Sequence, residues 1–209
     1  MSDKRFDFDN ESGNLSLDYA NTKNWHASEH PIEGLNKHED VIDWGEAAGL
    51  LTSQEAEQLH RLASERPDQA MADYEKAIEL RETIYRIFSC RYSGRPVSPA
   101  DLALFNSVAQ EAMAHLKLVP VNGGFRWEWA KDSVDIGMIL WPVARAAAEL
   151  MTSEQIDRVR ECEDDRGCGY LFIDQSKNRS RRWCSMESCG NRAKARRHYS
   201  RKQDARLER

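Results

Sequence analysis

The stretches Cys162-Glu-Asp-Asp-Arg-Gly-Cys168 and Cys184-Ser-Met-Glu-Ser-Cys189 decide the fold of the last quarter of this 209-residue chain. Four thiolates suit Zn²⁺, which is borderline soft and takes tetrahedral coordination. Two ligands from one tight loop also cost little additional chain entropy. Disulfides or four unrelated buried thiols are the alternative, and a reducing cytosol disfavours disulfides. The sequence therefore predicts one structural Zn²⁺ held by Cys162, Cys168, Cys184 and Cys189.

The segment between the two cysteine pairs has the pattern of a β-hairpin. Residues 169–174 fit one strand, residues 175–179 a turn and residues 181–183 the returning strand. A hairpin of this length brings the second pair back beside the first. Cys189 lies where a helical pattern begins, so N–H groups at the helix start would stabilise its thiolate. The order of knuckle, hairpin and helix predicts a treble-clef-like zinc finger.

The charge of the chain is divided between its two parts. Residues 1–175 hold 18 Lys and Arg against 32 Asp and Glu, whereas residues 176–209 hold 12 against 3. The overall net charge of −5 therefore hides a C-terminal segment whose local field attracts a polyanion. A solvated basic tail is the alternative, but these cations adjoin a predicted folded module. The pattern favours DNA as the partner.

Phosphate and base contacts are both expected from this basic segment. Arg192 and Arg196 are one helical turn apart, as are Arg197 and Arg201, so each pair shares a helix face. Neutralised phosphates would give affinity with a steep salt dependence. Asn191 could read adenine, or it could instead cap the helix or brace the knuckle. Some arginines could partly neutralise the negative charge of the zinc centre itself. The predicted DNA-contacting residues are Lys177, Arg179, Arg181, Arg182, Asn191, Arg192, Lys194, Arg196, Arg197 and Arg201.

The sequence before the finger predicts a mainly helical domain. Apolar residues recur at helical spacing from Asp40, and the longest periodic run covers residues 68–92. Thr52 or Ser53 supplies an N-cap for the helix between them. Asn122-Gly-Gly, flanked by two short apolar runs, indicates a small β-hairpin.

Three features upstream of the finger bear on its boundaries. Residues 15–20 fit either a short strand or a helix, and Pro142 predicts a kink or a break in a helix over residues 133–150. A last helix from Thr152 or Ser153 should lead to the first cysteine. We therefore expect a mainly α N-terminal sensor domain with a small β-hairpin at 1–158. The four-cysteine zinc finger with its basic helix follows at 159–209, which makes the chain α+β.

The motifs also carry a family resemblance. Residues 184–199 resemble the CGNR zinc-finger family, including its naming motif Cys189-Gly-Asn-Arg192, and residues 168–174 and 178–184 match its hairpin. The upstream part resembles the ABATE domain that accompanies this finger, at residues 17–22, 47–51, 80–82, 125–127 and 141–145. The resemblance implies a bacterial transcription regulator, described as stress-induced, with the finger as its DNA-binding part. The first pair is one residue more widely spaced than the family leads us to expect, which bears on the geometry of Cys162.

A polar loop near the N-terminus is the candidate for a small-molecule effector site. Asx and Thr side chains beside a tryptophan can form a polar pocket floor with an aromatic wall. The same residues could instead cap helices, fill turns or pack in the core. The domain could alternatively mediate homodimerisation, since a single finger has a small footprint. The predicted effector-binding residues are Asp18, Asn21, Thr22 and Trp25, with Arg81 and Arg126.

Other function classes have less support from the sequence. Four cysteines leave no open position on zinc for a catalytic water, and no Gly-rich phosphate loop, His-Glu-x-x-His helix or Gly-x-Ser-x-Gly elbow occurs. We predict that the chain is not an enzyme; the alternative is an enzyme of unknown reaction whose finger is structural or binds RNA.

No apolar run approaches the roughly 18 residues that span a bilayer, and the start lacks a signal-peptide core. These features predict no membrane partner and a cytoplasmic protein, associated with the nucleoid when bound to DNA.

Overall fold

Helices make up most of this computed structural model, which describes residues 10–130 and 134–207, with side chains through Tyr199. The helices are α1 (Leu15–Ala20), α2 (His38–Ala47), α3 (Ser53–Glu65), α4 (Pro67–Ser93), α5 (Pro99–Ala114), α6 (Gly137–Thr152) and α7 (Asn191–Leu207). The antiparallel strand pairs are β1 (Lys23–Asn24) with β2 (Ile32–Glu33), β3 (Leu116–Val121) with β4 (Gly124–Trp129), and β5 (Val159–Glu161) with β6 (Leu171–Ile173). A 3-10 turn, Glu154–Arg158, precedes β5, and a π-helical turn, Met186–Gly190, precedes α7. The predicted fold class is confirmed.

The two predicted domains can be followed only where the structure describes the chain. The first includes residues 1–9 and 131–133, and the second includes residues 208–209; these lie outside the described residues. Among the helices just given, none is both long enough and apolar enough to cross a bilayer.

Local sequence signals set the ends of several helices. The Thr52 hydroxyl accepts from the Glu55 N–H, and the Glu55 carboxylate accepts from the Thr52 N–H, which together form a capping box at the start of α3. Gly94 ends α4 in the left-handed conformation, with φ of 69°. At α1, the Asn14 side chain accepts from the Ser16 N–H. This N-cap decides between the two predicted alternatives in favour of a helix.

The core is built around α4 and α6. Ile84 and Phe88 of α4 are fully buried, as are Ile139 and Val143 of α6. Pro142 lies inside α6, and the helix runs through it without a break. Proline removes one intrahelical hydrogen bond, but the buried residues on both sides of it hold the two halves in one helix. The predicted break at Pro142 is therefore absent.

The strand pairing in the finger differs from the prediction. β6 pairs with β5, whereas residues 181–183 form no strand. The last helix predicted from Thr152 or Ser153 is present as the short 3-10 helix Glu154–Arg158, which Ser153 caps and which leads into β5. Burial explains why β6 pairs with β5. Val159, Leu171 and Ile173 are at most 6% exposed and belong to the main core, so pairing β5 with β6 removes the most apolar surface from water.

Residues 181–183 are tied to the knuckle in another way. The Arg182 carbonyl accepts from the Glu163 N–H at 2.9 Å. The Arg181 N–H donates to the Asp174 carboxylate at 2.9 Å. The segment therefore returns beside the first cysteine pair, as the hairpin prediction required, but through single hydrogen bonds rather than a strand ladder.

The β3–β4 hairpin presents one apolar face. The cross-strand partners Leu118–Trp127 and Pro120–Phe125 lie on it, since directly opposed residues point to the same side. Near the tip Phe125 is 71% exposed, and Leu118 and Trp127 are each 52% exposed. The hairpin therefore exposes three large apolar side chains on one face.

Asn21 docks the finger on the helical domain. Its Nδ2 donates to the Leu171 carbonyl at 2.8 Å, and its Oδ1 accepts from the Leu171 N–H at 2.9 Å. The Ser12 carbonyl accepts from the Ile173 N–H at 2.8 Å. β6 therefore has hydrogen-bond partners along both edges, with β5 on one side and residues from the start of the chain on the other. Backbone groups buried in a core require such partners.

Replacing Asn21 with Ala should lower the free energy of unfolding by roughly 2–4 kcal/mol, because both polar backbone groups of Leu171 would be buried without this partner. Asn24, exposed on β1, is the matched control, and Asn24→Ala should change that free energy by less than about 0.5 kcal/mol. Urea denaturation followed by circular dichroism measures both. Equal losses in the two variants would contradict the docking role.

Candidate zinc centre and nucleic-acid interface

The four predicted zinc ligands come together from separate places in the finger. Cys162 follows β5, Cys168 precedes β6, Cys184 follows residues 181–183, and Cys189 lies in the π-helical turn. Their Sγ atoms lie within 4.8 Å of one another. Sγ of Cys184 is 3.8 Å from that of Cys168 and 3.6 Å from that of Cys189. Four sulfurs about 2.3 Å from one tetrahedral Zn²⁺ would be about 3.8 Å apart. The donor set and its spacing fit one structural zinc ion.

The protonation of these thiols follows from their crowding. Hydrogen bonds from Cys168 and Cys184 lower the pKa of Cys162 far below its ordinary value. The same contact with Cys162 raises the pKa of both Cys168 and Cys184, and burial raises the pKa of Cys189. Like charges a few ångströms apart repel, so without a cation one thiolate beside three thiols is favoured. Bound Zn²⁺ stabilises all four thiolates, which means that zinc uptake releases protons.

Two glycines let the knuckle loop approach the helical domain closely. Gly167 has φ of +83° and Gly169 has φ of +66°, both in the left-handed region that favours glycine. A Cβ on Gly167 would lie 2.5 Å from the Cα of Ser28, and one on Gly169 would lie 2.7 Å from the Tyr85 hydroxyl. A larger residue at either position would therefore push the knuckle away from the N-terminal loop and from α4.

Asp164 joins the knuckle to the basic helix. Its side chain is fully buried, and it accepts from Nε of Arg192 at 3.1 Å and from Nη2 of Arg196 at 3.0 Å. Burial alone would raise the pKa of Asp164. Hydrogen bonds from the Arg166 N–H, Arg196 and Arg192 outweigh burial and hold that pKa well below its usual range. The first turns of α7 are therefore fixed to the loop between the first two cysteines.

Trp25 lies beside the finger and lines a cavity of about 200 Å³ together with Cys168 and Cys189. The Cζ atoms of Arg166 and Arg192 are 4.8 Å and 5.2 Å from its ring centroid, which are cation–π distances. Its φ of 55° is uncommon for a residue other than glycine. Such a conformation persists where the surroundings fix it, and here the surroundings are the finger.

Five of the predicted DNA-contacting residues have partners inside the finger: Arg181, Arg182, Asn191, Arg192 and Arg196. The Arg181 guanidinium donates to the Trp183 carbonyl at 3.0 Å and lies 4.5 Å above the Phe172 ring. The Asn191 amide donates to the Glu187 carbonyl at 3.2 Å. This is the bracing alternative for Asn191, although its side chain remains exposed.

The remaining described cations of the predicted set are exposed: Lys177, Arg179, Lys194 and Arg197. In the part of the chain that the structure describes, no carboxylate forms an ion pair with any of these four. The side chain of Arg201 lies outside the described residues. The structure therefore separates the predicted set into arginines that hold the finger together and cations that face solvent.

The acidic residues that bind the arginines of the finger were not predicted from the sequence. Asp164 binds two arginines of α7, and Glu163 accepts from Nε of Arg182 at 2.5 Å. The available signal was an acidic run, Glu163-Asp-Asp165, inside a finger that is otherwise basic. Opposite charges that a metal knuckle brings together form ion pairs, and this run could have been assigned as the partner of Arg192 and Arg196.

The predicted effector residues do not gather in one pocket. Asn21 binds β6, and the Thr22 hydroxyl donates to the Tyr19 carbonyl. Asp18 is buried and accepts from the Ser12 N–H. Arg126 lies on the exposed hairpin, 3.3 Å from Glu128. An effector site made of these residues stays a prediction.

Arg81 forms a buried ion-pair cluster. Its side chain is 1% exposed, and it donates to both carboxylate oxygens of Glu33 and to Glu82. Burial alone would raise the pKa of Glu33, but the hydrogen bond from Arg81 lowers it. A buried cation with two carboxylate partners is satisfied by the protein itself. This contact fixes the β1–β2 loop on α4.

Comparison with known protein families identifies both parts of the chain. Residues 13–154 match the family model ABATE, described as "Putative stress-induced transcription regulator". Residues 158–202 match the CGNR zinc finger. A search of the curated proteins finds no match. Both resemblances expected from the motifs are confirmed.

Removing zinc should destabilise the helical domain as well as the finger, because Leu171 and Ile173 belong to the main core. We expect Cys162→Ser to lose bound zinc and to lower the melting temperature of the whole helical signal. Cys90→Ala is the control, since Cys90 lies on α4 outside the cluster. It should keep one zinc per chain and nearly the same melting temperature. Circular dichroism melts and zinc content by mass spectrometry measure both effects. An unchanged helical melt in Cys162→Ser would contradict the coupling.

Proposed function

The chain belongs to the ABATE family and carries a CGNR zinc finger, and we propose that it is a transcription regulator that binds DNA through this finger. The observation that supports the proposal best is the exposed set Lys177, Arg179, Lys194 and Arg197 on the turn and helix of the finger. Four cysteine ligands leave zinc no open position, so the proposal gives the metal a structural role.

The basic helix is suited to an anionic partner. Among the described side chains of α7, which run through Tyr199, there is no apolar stripe, and Tyr199 itself is 67% exposed. A helix that buries no apolar face is available for another molecule. Its start is fixed by Arg192 and Arg196 on Asp164. The cations at Lys194 and Arg197 are therefore presented from a fixed helix, and phosphates would replace water around them.

Lys194→Ala with Arg197→Ala should weaken binding to a mixed-sequence duplex at least about tenfold at low salt. The slope of log K against log salt should become shallower by about 2, since two phosphate contacts are lost. Fluorescence anisotropy over a salt series measures both. The matched control is Arg61→Ala with Arg126→Ala, which removes two exposed arginines of α3 and β4 and should leave the slope unchanged.

A second comparison separates bracing from DNA contact. Arg196→Ala should lower the melting temperature, because it leaves the buried Asp164 with one fewer partner. Arg197→Ala should lower DNA affinity with the melting temperature unchanged.

Tighter binding to an RNA hairpin of equal length than to the DNA duplex would contradict the proposal. It would favour the alternative in which the finger is an RNA-binding module.

The proposal also gives the N-terminal domain the regulatory role, through an effector or through a homodimer. The homodimer has a candidate surface in the apolar face of the β3–β4 hairpin, where Phe125 and Trp127 are exposed. A two-fold axis would bring this same uncharged face of two copies together. Two fingers held in this way would bind a longer stretch of DNA than one.

Phe125→Ser with Trp127→Ser should convert a dimer into a monomer in sedimentation velocity, because the substitutions remove the apolar surface that two copies would bury. Lys117→Ser, on the opposite face of the hairpin, is the control and should leave the dimer intact. A wild-type chain that sediments as a monomer at tens of micromolar would contradict the homodimer.

A further inference from the structure

Two adjoining cavities lie where α2, α3 and α4 meet, far along the chain from the zinc ligands. Their volumes are about 90 Å³ and about 210 Å³. His38, Ala63 and Ala70 line both. Both cavities open to solvent, so a small molecule could enter them without unfolding the domain.

His38 is the unusual group in these cavities. It is the first residue of α2 and is only 8% exposed. Neither of its ring nitrogens has a hydrogen-bond partner among the described residues. His60, by contrast, bonds to the Asp43 carboxylate at 2.9 Å. A buried polar group without a partner costs free energy, so a group supplied by a ligand would recover that cost at His38.

The protonation of His38 limits what that ligand can be. Burial lowers the pKa of His38, although the nearby Asp73 and Glu39 act in the opposite direction. The imidazole is therefore neutral near pH 7 and offers one N–H donor and one nitrogen acceptor. A hydroxyl or an amide can bond to either ring nitrogen, because each can both donate and accept. A carboxylate could use only the donor.

The cavity walls favour a ligand that is otherwise apolar and uncharged. Leu59 and Leu62 line the smaller cavity, and Met71 lines the larger. The charged lining residues of the two cavities nearly balance: Lys37, Glu39, Arg66, Asp73 and Asp135. Two of these acids already have partners, since Asp73 accepts from the Gln69 amide and Asp135 accepts from the Gly137 N–H. A net charge on the ligand would therefore gain little.

We propose that these two cavities form a binding site for a small neutral molecule with an apolar body and one hydroxyl or amide group, held at the ring of His38. The apolar body lies along Ala63 and Ala70, which both cavities share. The polar group bonds to the imidazole. This site is distinct from the polar N-terminal loop that the sequence suggested.

The site is connected to the finger by α4, and this regulatory part rests on the proposed function. Ala70 and Tyr74, in the first half of α4, line the larger cavity. In its second half, Tyr85 and Ser89 donate to the Glu161 carboxylate at 3.1 Å and 2.7 Å. Glu161 directly precedes the first zinc ligand. A ligand that shifts α4 would therefore shift the base of the finger.

Phenol and toluene test the binding site on the zinc-loaded full chain, because they have nearly the same shape and only phenol carries a hydroxyl. Titrations would follow the ring nitrogens of His38 by NMR, with His60 as the internal reference. We expect a saturable shift at His38 with phenol and about tenfold weaker binding of toluene. No saturable shift at His38, or equal affinities for the two probes, would overturn the proposal.

His38→Leu removes the polar partner and keeps an apolar wall. We expect this variant to lose the preference for phenol and to bind toluene at least as tightly as the wild type does. His30→Leu, at an exposed histidine, should keep the wild-type preference. A preference for phenol that survives in His38→Leu would overturn the assignment to His38. If His38→Leu does not fold, the wild-type comparison of phenol with toluene decides alone.

DNA affinity measured with and without phenol tests the regulatory part. A change of about threefold or more in the wild type that is absent in His38→Leu would support regulation through α4. An unchanged affinity would overturn regulation but leave the binding site in place. Failure to bind DNA under any condition would overturn the proposed function, whereas the NMR result would stand by itself.

Discussion

β6 is only three residues long, and the rest of the structure depends on its being paired along both edges. Its side chains are at most 6% exposed. β5 bonds to one edge, while Asn21 and Ser12 bond to the other. A free N–H or C=O at this depth would cost about as much as a side chain gains by burial. The finger therefore stays folded against the helical domain and shares its core, so zinc, the knuckle and α1 form one cooperative structure.

Asp164 shows why a basic segment is not a uniform DNA-binding surface. A fully buried carboxylate requires partners, and Arg192 and Arg196 supply them from one face of α7. Those two arginines position the helix, whereas Lys194 and Arg197 are exposed to solvent. Charge density alone therefore overstates the number of phosphate contacts, because part of it is balanced inside the finger.

The zinc ligands could be predicted from the sequence because each cysteine pair is local and its spacing is visible. Helix ends such as the Thr52–Glu55 capping box are local in the same sense. The strand partner of β6 could not be predicted, since β5 and residues 181–183 are segments of equal length. The choice depends on which of them buries apolar residues against α1 and α4. The environment of His38 could not be predicted either, because its neighbours come from helices that are brought together only by the fold.

Helix α4 gives the two halves of the chain a physical connection. It has 27 residues and is therefore about 40 Å long. Its first turns border the His38 cavities and its later turns bond to Glu161. Burial raises the pKa of Tyr85 well above its usual range, so its hydroxyl stays protonated and remains a donor to that carboxylate.

Two hydrogen bonds to one carboxylate fix the position of α4 along its axis. A sliding movement of one helical turn, about 5.4 Å, could not keep both bonds. These two bonds therefore hold the residue before the first zinc ligand at a fixed place along α4.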